Sequence, residues 1–148
     1  MDSSFFCQWF KGFENGLEKM DPDSRSALLR SCAVRCADTG VLQSYLALYR
    51  RVNGDRDEFY RRLCETGNVR GEIAVPHREY YVCFPECGCN LHTECGVNTP
   101  ALCECSRQSI LYVAENVWKD CKVRVEQTET VLSGDRECRF HVIFDDKE

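Results

Sequence analysis

The spacing of apolar residues changes once along this chain, near Gly71, and that change constrains the fold more than any composition figure. Before it, Phe5, Trp9, Phe13 and Leu17 recur every four residues and predict a helix with one aromatic packing face, weakened by Gly12 and Gly16. Asp21-Pro22 supplies a capping carboxylate and a first-turn proline for a second helix. Its apolar side carries Leu29, Cys32, Ala33 and Cys36. Asp38-Thr39-Gly40 interrupts, and Leu42, Tyr45, Leu46 and Tyr49 mark a third helix. Asp55 with Glu58 resembles a capping box for a fourth, which ends near Gly67 and places Cys64 one turn after Tyr60.

Beyond Gly71 the period becomes two. Segments 73–75 and 80–84 are rich in β-branched and aromatic residues and flank Pro76, so they predict strands. Residues 85–105 contain Pro85, Gly88, Gly96 and Pro100 and read as irregular. Ser106 is the expected cap of a helix bearing Ile110, Leu111, Ala114, Val117 and Trp118. The end is a β-hairpin turning at Ser133-Gly134-Asp135-Arg136, with Cys138, Phe140, Val142 and Phe144 on one face of the return strand. A tight turn at Gly134-Asp135 pairs Val131 with Cys138, Glu129 with Phe140 and Gln127 with Val142, which sends Cys138, Glu129 and Gln127 to the apolar side. The expected class is α+β: N-terminal helices packed on an antiparallel sheet, with a Cys-rich loop, one further helix and a C-terminal β-hairpin. We expect residues 1–148 to form one domain, with a helical part (1–68) and a mixed α/β part (69–148) holding the Cys-rich loop (83–105).

Composition excludes several classes. The formal net charge is −5 and the basic residues are scattered, which is no footprint for nucleic acid. No apolar run approaches the roughly 18 residues of a membrane span. The start, Met1-Asp2-Ser3-Ser4-Phe5-Phe6, lacks the basic and apolar regions of a signal peptide, so the expected location is cytoplasmic.

Twelve cysteines in a reducing compartment then demand an explanation other than a disulfide framework. Helical spacing assigns Cys32, Cys36 and Cys64 to burial as small hydrophobes, and Cys121 with them. Of the others, Cys83, Cys87, Cys89, Cys95, Cys103 and Cys105 cluster, with His92 among them and Cys138 on the hairpin. Cys87-Gly88-Cys89 and Cys103-Glu104-Cys105 are two Cys-x-Cys pairs, and soft thiolates in pairs suit tetrahedral zinc or an iron–sulfur cluster. The expected metal ligands are Cys87, Cys89, Cys103, Cys105 and Cys138, with Cys83, His92, Cys95 and Glu129 as additional candidates. Two other readings stay open: a loop thiol acting as nucleophile or redox group in a hydrolase or redox enzyme, and inert thiols. A thiolate nucleophile needs a base in reach, and of His77, His92 and His141 only His92 lies in the loop.

The segment Cys103-Glu104-Cys105-Ser106-Arg107, a helix, a Val-x-Val strand and then Thr130-Val131-Leu132-Ser133-Gly134-Asp135-Arg136-Glu137-Cys138-Arg139-Phe140 resembles the C-terminal half of 4-vinyl reductase-type ligand-binding domains. It is closer still to a group of bacterial cysteine-rich proteins and distantly similar to the aminothiazoline-carboxylate hydrolase-like family. The resemblance covers about the last 65 residues. It implies a sheet with helices against it, a pocket for a small-molecule ligand, and a zinc ion held by cysteines and a glutamate, one cysteine lying on the last hairpin. Cys138 matches that hairpin cysteine, and Cys103 or Cys105 the one before the helix. Thr130 falls near the place of another cysteine and Gln127 near the acidic ligand, so Cys87 and Cys89 are the expected replacements.

Overall fold

Asp21 accepts a hydrogen bond from the Ser24 amide at 2.9 Å, and Asp55 accepts one from the Glu58 amide at 3.1 Å, so both expected caps start helices. The computed structural model describes residues 3–87 and 89–146; Gly88, in the first Cys-x-Cys pair, and residues 1–2 and 147–148 lie outside them. The elements run α1 (Ser3–Lys19), α2 (Pro22–Ala37), α3 (Val41–Arg51), α4 (Arg56–Arg61), β1 (Arg70–Val75), β2 (Glu79–Phe84), a one-turn α5 (Asn90–Thr93), α6 (Cys103–Val117), β3 (Cys121–Glu129) and β4 (Cys138–Asp146). The α+β class expected from the change of period is the one formed. Helices pack on a four-stranded antiparallel sheet in the order β1-β2-β4-β3, which leaves β1 and β3 as its margins.

The core between sheet and helices is built from interlocking rings. Tyr60 stacks on Tyr80 at 4.2 Å between centroids, and Phe59, Trp118 and Phe144 meet edge to face around them. β1 approaches the end of α4 so closely that a Cβ on Gly71 would collide with the Tyr60 carbonyl. No described helix is long and apolar enough to cross a membrane.

Several expectations are corrected. The α1 stripe does not pack along its length: Leu17 is buried, but Phe5 and Trp9 are 58% and 59% exposed. On α2 the buried seam is Leu29, Ala33 and Ala37, so Cys32 and Cys36 fall beside it and are exposed, as is Cys64. Cys121 is half-buried. Within the stretch expected to be irregular, α5 forms, and Thr99 caps a turn at Pro100–Leu102 that leads straight into α6. That helix therefore starts at Cys103 instead of Ser106.

The hairpin register also moves. The chain does not reverse in two residues: Val131–Ser133 form a 3-10 turn and Gly134 adopts a left-handed conformation at φ 93°. The extra turn pairs Val125 with Val142 and Gln127 with Phe140. A bulge between Gln127 and Glu129 then flips the pattern, so Glu129 opposes Arg139 and is exposed, while Thr130 takes the buried place.

Candidate functional site

Cys103 opens α6 and Cys138 opens β4, and both are buried. Between their sulfurs lies the Thr130 hydroxyl, 3.0 Å from Cys103 Sγ and 3.8 Å from Cys138 Sγ. The Val131 amide donates to Cys138 Sγ at 3.4 Å. Burial pushes the Cys103 thiol up; the Thr130 bond and a Gln127 side-chain bond oppose this, while neighbouring Cys138 and Cys87 add to it. Cys87 is likewise raised by burial, with Cys89 and Cys138 near it. Cys87, Cys103 and Cys138 thus share one neighbourhood with Thr130 and Gln127, the two residues at which this chain departs from the zinc-site pattern of the resemblance.

Cys89 and Cys105 belong to a different neighbourhood. Residues two apart on a helix point to nearly opposite sides, so Cys103 and Cys105 on α6 do not converge. Cys105 instead packs beside Leu29, Val97 and Leu102. Burial pushes its thiol up to about 12, helped by nearby Cys89, Cys32 and Cys36. The two Cys-x-Cys pairs are therefore each split, one member to the hairpin side and one to the α2 side.

The remaining candidates are placed as follows. Cys95 is joined to Cys7 of α1 in a disulfide with Cα atoms 4.8 Å apart, which takes it out of the thiolate set and overturns, for this pair, the expectation of reduced thiols throughout. His92 Nδ1 lies 2.9 Å from the Val97 carbonyl, inside its own loop. Glu129 faces solvent beyond the bulge. Cys83 is buried in β2, and its ligand atom lies within 4.8 Å of carboxylate oxygens of Glu72 and Glu137. Those carboxylates are already held by guanidinium groups: Arg139 bonds Glu72 at 3.1 Å and Glu137 at 3.0 Å, and Arg70 bonds both. Hydrogen bonds from Arg139 and then Arg70 pull the Glu72 carboxyl down to about 2, whereas burial pushes the Cys83 thiol up to about 11. A cation entering there would have to displace two guanidiniums, so this group is read as an ion-pair network.

A second cysteine constellation had no local sequence signal. At the far end of the hairpin, Arg56 Nη2 donates to Cys121 Sγ at 2.7 Å, across 65 residues of sequence. These residues line an open depression of about 500 Å³ together with His77 and Trp118. Another depression, of about 580 Å³, lies outside the hairpin turn and includes Glu129 and Glu137, the chain neighbours of Thr130 and Cys138.

No family model matches the sequence, and no curated protein matches it significantly. Among solved structures the chain resembles trafficking protein particle complex subunit 3 from Naegleria fowleri, a protein covalently bound to palmitic acid. The TM-score is 0.57 at 10% identity, covering 99% of this chain and 98% of that one. The likeness is one of fold.

Proposed function

We propose that this chain is a cytoplasmic, bacterial-type ligand-binding domain carrying a cysteine-ligated metal centre, with zinc favoured over an iron–sulfur cluster. The observation that carries the proposal is the placement of Cys103 and Cys138 on either side of the Thr130 hydroxyl, with Cys87 beside them. Three soft donors on three separate elements fit zinc, and the Gln127 amide stands where the resembling domains have an acidic ligand. When bound, the ion would cross-link the first turn of α6 to the start of β4 and the loop after β2. The chain's own part is to hold the thiols at those positions and exclude water from them. The Cys87 and Cys103 thiols are raised by burial, so loading must release protons and weaken as pH falls.

Elemental analysis of protein purified without added metal tests this. We expect about one equivalent of zinc, falling to well under half in Cys103→Ser and in Cys138→Ser. Wild-type protein with less than about a tenth of an equivalent of zinc or iron, after purification under reducing conditions, overturns the proposal. Brown protein with sulfide present favours the cluster instead.

The fold similarity supports a second, compatible reading, in which the small-molecule ligand is an apolar acyl chain. Native mass spectrometry with palmitic acid tests it, retention of the fatty acid being the expected result. Unchanged protein mass at saturating fatty acid counts against it.

A further inference from the structure

Residues four apart on a helix share a side, which stands Cys32 and Cys36 of α2 one turn apart, with Cβ atoms about 5–6 Å from each other. Both are exposed beside the buried seam of Leu29, Ala33 and Ala37. α6 lies against this helix: Ser26 donates to Glu104 Oε1 at 2.8 Å, and Arg30 donates to Gln108 Oε1 at 3.4 Å. Cys105, the residue after Glu104, is half-buried against the apolar cluster that contains Leu29, one turn before Cys32. Cys89 is exposed at the start of α5 and makes no side-chain cap there, so its sulfur is not committed to that helix. The ionisable groups that bear most on Cys105 are Cys89, then Cys32 and Cys36, ahead of its chain neighbour Glu104. Four thiols from α2, α6 and the loop before α5 thus share one side of the molecule. Among the described residues none of these sulfurs is taken up by a hydrogen bond, whereas the carboxylates beside Cys83 are already held by guanidiniums.

We infer that Cys32, Cys36, Cys89 and Cys105 form a second metal site, one that takes zinc from solution and gives it back. Four soft thiolates are a complete tetrahedral set for zinc, and four residues apart on one helix is a spacing at which two side chains grip a single zinc ion. As four sulfur–zinc bonds form, the thiol protons leave to water and nothing is oxidised. The site shares no residue with the Cys87, Cys103 and Cys138 group and does not rest on that reading. It is also more open. No three of its sulfurs lie within 4.8 Å of one another, so Cys32, Cys36 and Cys89 must turn inward about their Cα–Cβ bonds onto the half-buried Cys105. That rearrangement lowers affinity, and solvent reaches three of the four ligands, so the ion exchanges instead of persisting through purification.

The test needs only the wild-type chain, kept anaerobic and without added reductant so that the Cys7–Cys95 disulfide stays closed. It is alkylated with iodoacetamide in the presence and absence of excess zinc, and each cysteine is followed by peptide mapping. We expect zinc to slow Cys32, Cys36 and Cys89 together by about ten-fold, and a chelator to restore their rates. Cys64, exposed on another part of the chain, is the reference and should be unaffected. Cys89→Ser, a change at an exposed position that leaves the core intact, should remove most of the protection of Cys32 and Cys36. Neither readout involves Cys103 or Cys138, so purified protein that lacks zinc would fail the first reading without touching this one. Cys32 and Cys36 rates unchanged by zinc overturn the inference. So does protection that Cys89→Ser leaves undiminished, which would reduce the site to an adventitious ion on the α2 pair.

Discussion

Cys138 begins β4 and Cys121 begins β3, so the hairpin holds them at opposite ends, roughly 25 Å apart at about 3.3 Å per residue. At the Cys138 end the thiols lie among uncharged partners, Thr130, Gln127 and one another, and burial disfavours the charged form of Cys87 and Cys103. At the Cys121 end the sulfur is half-buried and meets a guanidinium held on two aromatic rings. One residue type is therefore given two chemistries by its surroundings. Where several thiols are enclosed together, a cation is what would stabilise their ionised form; at the other end a single sulfur sits against a charge that the fold itself holds in place.

The sharpest way to break this contrast is to remove the ring beneath Arg56. Phe144→Ala empties a core position that touches Tyr60, Tyr80 and Trp118, and should cost about 3–5 kcal/mol in urea unfolding. A loss no larger than that of an ordinary surface change would show that the ring does not hold this end together. Next in size is Asp57→Ala. Asp57 is buried and accepts from the Tyr80 hydroxyl at 2.5 Å and the His77 amide at 2.8 Å, so the change strands two donors, at about 2–3 kcal/mol. A loss under about 0.5 kcal/mol would mean that water replaces the carboxylate.

At the other end the effects are smaller and depend on metal. In metal-free protein Cys138→Ala should cost about 1 kcal/mol and couple only weakly to Cys103→Ala, through the Thr130 hydroxyl that both sulfurs touch. With zinc bound the two losses should be strongly non-additive, since either breaks the shared centre; additive losses in both states would leave Cys138 as packing alone. The smallest expected effect belongs to the neighbouring ion-pair network. Glu72 has its folded value lowered from 4.5 to about 2, so its contribution is present above about pH 4.5 and is lost as pH falls toward about 2. Acid titrations of wild type and Glu72→Gln should converge over that window. The pair is partly exposed, and a difference that persists unchanged at pH 2 would deny it any linkage role.

Much of this was legible in local patterns. The two caps, the switch to strands after Gly71 and the alternation from Cys138 to Phe144 all rest on spacing within a few residues. The hairpin register was not legible, because a 3-10 turn and a bulge insert residues without changing the hydrophobic alternation that advertised the strands. The start of α6 had a usable signal in Thr99-Pro100, masked by the Cys-Glu-Cys motif that follows. Missing it hid the main lesson of the site: extended spacing would place Cys103 and Cys105 together, whereas helical spacing parts them. The Arg56–Cys121 contact joins residues 65 apart and carried no local sign.

The margins of the sheet have a consequence for how the molecule behaves among copies of itself. β1 and β3 each leave one row of backbone donors and acceptors without a strand beside it, the kind of row on which stacking into fibres begins. On β3 the exposed side chains are Lys122, Arg124, Glu126, Thr128 and Glu129, and a bulge breaks the ladder between Gln127 and Glu129. β1 loses its register between Ile73 and Val75 and then meets Pro76. A neighbouring strand would have to desolvate charges on one margin and follow a broken line on the other. The bulge that displaced the hairpin register thus also makes the β3 margin a poor template for a second copy.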